Sequence, residues 1–403
     1  MNAMLDSNTL LTSRKPGTDP NSVRIRSFAG AHGNSEHYIT VEAPAGLPFA
    51  AQLEFVEQRY AAAIHALGLS EASAMFRRIH LSDILNQTAA VRASRLSDHN
   101  EQYPVAVSLV QQAPMSGAKI ALLAHHVEDA EQHPGQRQND GQIVFHRHGL
   151  QHLWSTQLCA GSDSVPPTPA DQQTTLVFDQ LTDALARLDG TLLDHCVRTW
   201  IYLKDVDVYY KDMVESRIRL FNQHGLTRDT HYIASTGIEG ACSHRADLIM
   251  MDAYSIVGLQ PQQMSWLNDF DRLCSAGDYN VTFERGTRIA WRDRSHHFIS
   301  GTASIDTAGE VVHPGDVLQQ LDVALENVDA LLRSGGSTLD DMMYLLVYLR
   351  DPSDHQAVRA RLTERLPNLP IVIVQGPVCR PEWLIEIEGI AIAAERNPTL
   401  PEF

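Results

Sequence analysis

Two carboxylates near the C-terminal end carry the strongest chemical signal of the sequence. Glu386 and Glu388 lie two residues apart in the run WLIEIEGIAI, whose apolar residues predict a β-strand. Residues two apart in a strand project from the same face, so both carboxyl groups would face one side of a sheet. A carboxylic acid partly removed from water has a raised pKa and can donate a proton. The pair indicates general-acid chemistry, with Glu386 as the first candidate and a solvated strand carboxylate as the alternative.

Internal repeats indicate how such a strand is positioned. Residues 177–205 align with residues 323–351, and each segment predicts an amphipathic helix, a glycine-containing break and an alternating strand that ends in Lys-Asp or Arg-Asp. The same offset places the segment 152–160 on 298–306, which predicts a strand before each helix. A hairpin-like pair of strands is expected after each repeat. A weaker copy precedes both, with a strand at 37–43 and a helix at 52–67.

These repeats predict an α+β chain made of three similar sheet-plus-helix units. Polar linkers are expected near residues 128–141 and 260–263. The predicted parts are a flexible N-terminal tail over residues 1–30, a degenerate unit over 31–130, a second unit over 145–258 and a C-terminal unit over 275–395.

The three units differ at the strand that carries the two acids. The second unit has Met250 and Asp252 at the positions of Glu386 and Glu388, and the first unit has the run KIALLA, which contains no acid. A carboxylate at the Glu386 position therefore occurs once among three equivalent strands. This pattern predicts one catalytic site for the whole chain.

Several residues in the second and third units are candidates for binding an anionic group. Arg198 lies in the apolar strand VRTWIYL with Tyr202 on its face, and a buried arginine is costly unless it is paired or binds an anion. The alternative is an edge strand with a solvated arginine. For the helical Arg217 the alternative is a surface ion pair with an acid one turn away. The further candidates are Tyr209 and Arg217 on the next helix, Ser235 and Thr236 in ASTGIEG, and Arg380 beside Cys379 in VCRPEW.

Composition and missing motifs exclude several classes of protein. A net charge of -17 argues against binding to nucleic-acid backbones. No apolar run is long enough to span a membrane, and the N-terminus lacks the apolar core of a signal peptide. The five cysteines are scattered without a CxxC pair, which favours a reduced, cytoplasmic protein. The histidines lack HExxH spacing, and GxGxxG, Walker A and GxSxG motifs are absent, so no metal or cofactor is expected.

Four segments together resemble the RidA/YjgF/chorismatase superfamily. They are HFISGTASID, GDVLQQLDVALENVDALL, VYLRDPSD and the terminal EIEGIAI. The resemblance implies tandem RidA/YjgF-like (chorismate-mutase-like) units that form an intramolecular pseudo-trimer, since RidA proteins are trimers with active sites between neighbouring subunits. The chain is then expected to be a monomer with an internal pseudo-trimer or a higher homo-oligomer.

The resemblance also separates two kinds of activity. RidA-type imine hydrolases carry an arginine on the penultimate strand, and here that position falls at Val372, which disfavours a standard imine deaminase. The segments IASTGIEG, CVRTWIYL and VCRPEWLIEIEG resemble chorismatases, which hydrolyse the enolpyruvyl ether of chorismate and release pyruvate. The alternatives are an enzyme acting on an enamine, an imine or another unsaturated acid, and a non-enzymatic small-molecule-binding protein.

The chorismatase resemblance implies a role for each candidate residue. Glu386 would protonate the enolpyruvyl methylene carbon, and Arg198 and Arg380 would hold the carboxylates of a small, chorismate-like anion. Cys379 would line the pocket that steers the ring chemistry, because a cysteine near this place accompanies members that form 3-hydroxybenzoate. An alanine-type pocket accompanies hydrolysis to a dihydroxycyclohexadiene acid, and Gly301 and Ala303 both lie in the strand facing that wall.

Overall fold

Three β-sheets follow one another along the chain, which confirms the α+β class and the three units. The computed structural model describes residues 22–31, 34–98, 100–128, 134–274 and 282–403. The first sheet has the order β1-β2-β5-β3-β4 and is backed by two helices. The elements of this first unit are β1 (Val23–Phe28), β2 (Glu36–Glu42), α1 (Phe49–Ala66), β3 (Ala74–Leu81), α2 (Ile84–Arg92), β4 (Ala106–Gln111) and β5 (Ile120–Val127).

The second sheet repeats this plan with one additional edge strand, in the order β10-β9-β11-β8-β7-β6. The elements of the second unit are β6 (Gln136–Asn139), β7 (Gln142–Arg147), β8 (Leu150–Leu158), α3 (Ala170–Ala186), α4 (Leu192–His195), β9 (Cys196–Leu203), α5 (Val206–Gln223), β10 (Ala234–Glu239) and β11 (Ile249–Val257).

The third sheet has the order β12-β13-β14-β17-β15-β16 and carries the two acids on β17. The elements of the third unit are β12 (Met264–Trp266), β13 (Gly286–Ala290), β14 (Arg294–Ala303), α6 (Val317–Ser334), β15 (Met342–Leu349), α7 (His355–Arg365), β16 (Ile371–Gln375) and β17 (Ile385–Ala394).

An aspartate after the central strand of each unit has a structural explanation. Asp83 and Asp205 are the N-caps of α2 and α5, and their carboxylates accept from backbone N–H groups of the first turn. Asp351 accepts from the N–H of Ser353, at the turn that leads into α7. A side-chain oxygen at this place satisfies an N–H group that has no partner within the helix. The repeated Asp therefore starts the helix that follows each central strand.

Each unit joins its last two strands by a different route from the one that the sequence predicted. β10 pairs in parallel with β9, and β11 pairs antiparallel with the other edge of β9. The same arrangement surrounds β3 and β15. The expected hairpin-like pairs are therefore wrong, because the central strand inserts between the two strands of each pair.

The three units contact one another in a closed ring. Isolated β-bridges join Gln111 to Ala241, Pro114 to Val374, and Ala234 to Glu284, so every pair of units shares one bridge. One continuous apolar core includes buried residues from all three units, such as Phe76, Trp154 and Phe298. The chain is thus an intramolecular pseudo-trimer.

The predicted boundaries need three corrections. Residues 23–28 form edge strand β1 and are not part of a flexible tail, whereas residues 1–21 lie outside the described residues. The predicted linker at 128–141 contains β6, so the second sheet begins before residue 145. The third sheet begins with β12, before residue 275, and residues 275–281 lie outside the described part of the chain.

The alignment of β8 with β14 also needs a correction of two residues. His152 lies opposite Ile256 of β11, and His296 holds the corresponding place opposite Ile392 of β17. His152 therefore corresponds to His296, not to Phe298. A bulge in both strands, near Gln157 and Gly301, interrupts the pairing that a simple repeat would predict.

Candidate functional site

Strand pairing places an acid at the Glu386 position in one unit alone. Ala121, Met250 and Glu386 occupy equivalent positions on β5, β11 and β17, each opposite the same position of its central strand. This equivalence agrees with the sequence alignment of the three strands. The asymmetry therefore belongs to the folded molecule as well as to the sequence.

Glu388 is a fully buried anion at the centre of the pseudo-trimer. Its carboxylate accepts from Arg198 Nη2 at 2.6 Å, from Trp200 Nε1 at 2.8 Å and from the Tyr348 hydroxyl at 3.0 Å. The Thr236 hydroxyl also donates to it. The surrounding donors therefore occupy both oxygens of the Glu388 carboxylate, which forms an ion pair within the protein.

An arginine of the first unit, Arg78, also contacts this group of buried charges. Arg78 Nη1 lies 3.7 Å from Glu388 Oε1, and Arg78 Nη2 lies 3.2 Å from Asp252 Oδ2, with all three side chains fully buried. The guanidinium also stacks on the ring of Trp200 at 4.5 Å. We call Arg78, Arg198, Asp252 and Glu388 the axial cluster, and it contains charged residues from all three units.

Glu386 lies beside the axial cluster in a different environment. Its side chain is almost entirely buried, and among the described residues no hydrogen bond reaches its carboxyl group. Burial, and then the negative charge of Glu388, raise the pKa of Glu386 to about 8, although Arg198 and Arg285 oppose this rise. A carboxyl group with this pKa is mostly protonated at neutral pH, as a general acid must be.

A glycine leaves the room that the Glu386 carboxyl group occupies. A Cβ atom at Gly301 would lie 2.3 Å from Glu386 Oε1 and 3.0 Å from Thr236 Cγ2. The backbone N–H of Gly301 donates to the Thr236 hydroxyl at 2.9 Å, which ties β14 of the third unit to β10 of the second. The acid therefore lies at the seam between these two units.

Cys379 and Tyr210 form another side of the same space. The Cys379 thiol is hydrogen-bonded with Tyr210, and burial, with the charge of Glu386 as a smaller cause, raises the pKa of this thiol to about 12. Cys379 is therefore a neutral thiol at physiological pH and a weak nucleophile. We call the space bounded by Glu386, Gly301, Thr236, Cys379 and Tyr210 the acid cleft.

One buried arginine, Arg285, lies near the acid cleft, and another, Arg217, lies on the helix that carries Tyr210. Arg285 precedes β13, donates to the carbonyl of Cys274 at 3.2 Å, and lowers the pKa of Glu386 through its charge. Arg217 projects from the same face of α5 as Tyr210, two turns further on, and its Nε donates to Thr282 at 3.1 Å. Since Arg217 is buried, the alternative of a solvated helix arginine is wrong.

The structure gives Arg198 protein partners in place of a substrate carboxylate. Besides Glu388, its guanidinium donates to the carbonyls of Thr199 and Ile299 and to the hydroxyl of Thr236. The alternative of a solvated edge-strand arginine is also wrong, because Arg198 is buried on β9, which has a neighbour on both sides. Arg198 therefore forms an ion pair with Glu388, and its charge also lowers the pKa of Glu386.

Four other predicted residues have contacts with protein groups of their own. Tyr202 is the second-unit counterpart of Tyr348 and lies in the core beside Arg78, opposite Met250. Tyr209 packs on the core of the second unit. The Ser235 hydroxyl accepts from Thr199 at 2.9 Å, while the Arg380 guanidinium donates to the carbonyl of Gly309 at 2.8 Å and stacks on Trp383.

Sequence reasoning missed Tyr210, Arg285 and Arg78. The segment FERG contains Arg285, but its spacing gave no reason to single that residue out. Tyr210 is adjacent to the chosen Tyr209, and only the orientation of α5 distinguishes the two. Nothing in the sequence pattern connects Arg78 to acids in the other two units.

The similarity to known proteins agrees with this fold. A family model described as Endoribonuclease L-PSP matches residues 288–393. The 3-aminoacrylate deaminase RutC of Acinetobacter baylyi is 31% identical over 96 residues, which cover 23% of this chain and 76% of that protein. The chain belongs to the RidA/YjgF/chorismatase superfamily.

Longer matches lie within one branch of the superfamily. A 3-hydroxybenzoate synthase of Streptomyces hygroscopicus is 26% identical over 288 residues, which cover 66% of this chain and 80% of that protein. A chorismatase of Streptomyces rapamycinicus is 27% identical over 236 residues, covering 54% of this chain and 69% of that protein. A chorismatase crystal structure has the same fold, with a TM-score of 0.62 and 18% identity, over 88% of this chain and 98% of that one.

Among the described residues, no helix combines the length and the apolar character needed to cross a membrane.

Proposed function

We propose that this protein is a chorismatase-type enzyme that cleaves the enolpyruvyl ether of chorismate and releases pyruvate. The observation that carries the proposal is the buried Glu386, whose pKa is raised to about 8 and which lies at the seam between two units. The names of the two Streptomyces relatives support the same substrate class.

The proposed reaction begins with proton transfer to carbon. Glu386 donates its proton to the methylene carbon of the enolpyruvyl group, and the carbon bearing the ether oxygen becomes an oxocarbenium ion. In simple hydrolysis water adds to that carbon, the bond from that carbon to the ether oxygen breaks, the ether oxygen takes the remaining proton of the added water, and pyruvate leaves. In the aromatising route the neighbouring ring hydroxyl adds instead, and two bonds then break: the bond from its oxygen to the ring and the bond from the former enol carbon to the ether oxygen. Pyruvate leaves with the hydroxyl oxygen, and the ring becomes aromatic as the proton on the carbon that bears the ether oxygen is lost and the ether oxygen takes up a proton. The Glu386 carboxylate takes up the proton released by the attacking hydroxyl, so the acid is restored.

Glu388 and Arg198 have positioning roles in this proposal. The negative charge of Glu388 raises the pKa of Glu386, and Arg198 and Thr236 hold Glu388 in place. Fixed charges around a dry carboxyl group keep it protonated without any movement during the reaction. Arg217 and Arg285, and Arg380 at the turn before β17, are the cations that we propose for the two substrate carboxylates.

The ring product that we favour is 3-hydroxybenzoate. The thiol of Cys379 lies beside Glu386 and Tyr210, and the resemblance associates a cysteine near this place with members that aromatise the ring. In that route chorismate gives 3-hydroxybenzoate and pyruvate with no net uptake of water. Simple hydrolysis would consume one water and give a dihydroxycyclohexadiene carboxylate.

An enamine or imine hydrolase is the less favoured reaction. Val372 on β16 and Thr236 on β10 occupy equivalent positions, so neither strand offers the arginine that imine hydrolases use. The RutC relative matches 96 residues of this chain, whereas the 3-hydroxybenzoate synthase relative matches 288 residues.

The decisive experiment measures pyruvate and aromatic acids after incubation with chorismate. The wild-type chain should release both, and Glu386→Gln should lower turnover by about 10²- to 10⁴-fold, the usual contribution of a general acid, while chorismate still binds. Glu382→Gln, which changes a nearby exposed glutamate in the same way, should retain activity.

Other outcomes would replace the proposal. No pyruvate above the uncatalysed background, together with release of ammonia from an enamine or imine, would indicate a RidA-like hydrolase. Chorismate binding that is equal in wild type and Glu386→Gln, with no turnover in either, would indicate a binding protein.

A further inference from the structure

The second unit holds two thiols and a carboxylate outside the acid cleft. One ligand atom from each of Cys159, Cys242 and Asp247 lies within 4.8 Å of the other two, and Cys242 Sγ is 3.6 Å from Asp247 Oδ2. Thiolate sulfur and carboxylate oxygen are both ligands of Zn²⁺ in proteins. We propose that these three residues form a binding site for one divalent ion of the Zn²⁺ type.

The three ligands come from two segments that the sheet holds together. Cys159 directly follows β8, and Cys242 and Asp247 lie in the connection from β10 to β11. The Asp247 carboxylate accepts from the backbone N–H groups of Gly161 at 2.8 Å and Ser162 at 3.1 Å, so its position is fixed before any ion binds. Such support of a ligand by neighbouring donors is typical of protein metal sites.

The partial exposure of these three ligands suits a metal ion that has one coordination position open to exchange. Cys242 and Asp247 are buried, whereas Cys159 is partly exposed. Three protein ligands leave the fourth tetrahedral position of Zn²⁺ to water. The exposed side at Cys159 gives the ion a path to this position.

The third unit shows that the fold does not require these residue types. By the strand registers, the positions of Cys159, Cys242 and Asp247 correspond to Ala303, Val378 and Trp383. Those three residues are apolar and buried, and the Trp383 indole donates to the carbonyl of Ser304. One copy thus fills this place with apolar groups, while the other places three metal-ligating groups there.

The carboxylate favours a metal ion over a redox disulfide. A disulfide would involve the two sulfur atoms alone, whereas a divalent cation takes ligand atoms from both cysteines and from the carboxylate. The charge of the carboxylate also attracts a cation. The juxtaposition of two thiols with an acid therefore suits a cation site.

The test uses the full chain, reduced and treated with a chelator, and then titrated with Zn²⁺ against a chromophoric competitor. We expect one ion per chain, and Co²⁺ in place of Zn²⁺ should give thiolate-to-cobalt absorption. Cys159→Ser, at the partly exposed ligand, should weaken Zn²⁺ binding by more than about 100-fold, since loss of even an outer partner costs 10–100-fold. Cys196→Ser changes a buried cysteine of β9 in the same unit and should leave the affinity unchanged.

Three results would overturn the inference. They are equal Zn²⁺ affinity in wild type and Cys159→Ser, absence of thiolate-to-cobalt absorption, and recovery of Cys159 and Cys242 as a disulfide in a chain that takes up no metal. Because none of these readouts measures turnover, they are independent of the proposed reaction.

Discussion

The raised pKa of Glu386 predicts that activity falls on the alkaline side of neutrality. Burial and the charge of Glu388 raise this pKa to about 8, and the proposed reaction requires the protonated acid. With this pKa, about nine-tenths of the enzyme carries the proton at pH 7 and about one-tenth at pH 9. We therefore expect kcat/KM for pyruvate release to decrease about tenfold between these two values.

The assay is a stopped-time measurement of pyruvate by chromatography, since a coupling enzyme would add its own pH dependence. The decrease of kcat/KM at alkaline pH reports a pKa of the free enzyme, in which Glu386 faces no substrate carboxylate. Arg285→Met should move the midpoint to higher pH, because the positive charge of Arg285 lowers the pKa of Glu386. Glu382→Gln should leave the midpoint where it is.

The direction in which kcat/KM changes with pH tests whether Glu386 acts as the proposed general acid. A kcat/KM that is constant from pH 6 to pH 9, or that rises over this range while the chain stays folded, would show that no acid of this pKa is required. A midpoint that Arg285→Met leaves unchanged would show that the titrating group lies elsewhere.

Two further substitutions probe the geometry of the cleft and the stability of the axis. Gly301→Ala should lower kcat by about 100-fold, the cost of a displacement near 1 Å, because the added Cβ would lie 2.3 Å from Glu386 Oε1. An unchanged kcat in a normally folded variant would remove this contact from the argument. Arg78→Met should lower the free energy of unfolding by about 3–5 kcal/mol in a urea titration, because Asp252 and Glu388 would lose a buried cation. A change below about 1 kcal/mol would contradict the role given to the axial cluster.

The spacing of apolar residues predicted most of the helices and strands, and it failed for strands that are short or polar. The helices α3 and α6 and the central strands β9 and β15 have strong apolar patterns and lie where expected. β6 consists of four exposed residues, QRQN, so no apolar signal marks it. The residues of β1 are only partly buried and carry a weak apolar signal, so the sequence predicted a tail at this place.

Register was harder to predict than the elements themselves. An aligned repeat assumes equal spacing, but the connection from β14 to α6 (residues 304–316) is two residues longer than that from β8 to α3 (residues 159–169), which shifts the alignment of the strands before it. The order of the strands could not be predicted from the sequence pattern either. A hairpin and a crossover around a central strand have the same local signals.

The candidate catalytic acid could be predicted because the repeats differ at its position. Glu386 stands out because Met250 and the run KIALLA occupy its place in the other units. The partners of Arg198 could not be predicted, because Glu388 is 190 residues away along the chain and reaches it across a seam between units. Tyr210 depends on the rotation of α5, which packing against the second unit determines.

The axial cluster has a consequence for how the three units can be assembled. A ring of identical subunits presents the same side chain three times at its symmetry axis, so a charge there would meet two like charges. In this chain the axis combines Arg78 from one copy with Asp252 and Glu388 from the others. This combination of Arg78, Asp252 and Glu388 exists only because the copies have diverged at these positions. No single copy could therefore rebuild this centre as a homotrimer, and separately expressed pieces would have to recombine in equal amounts.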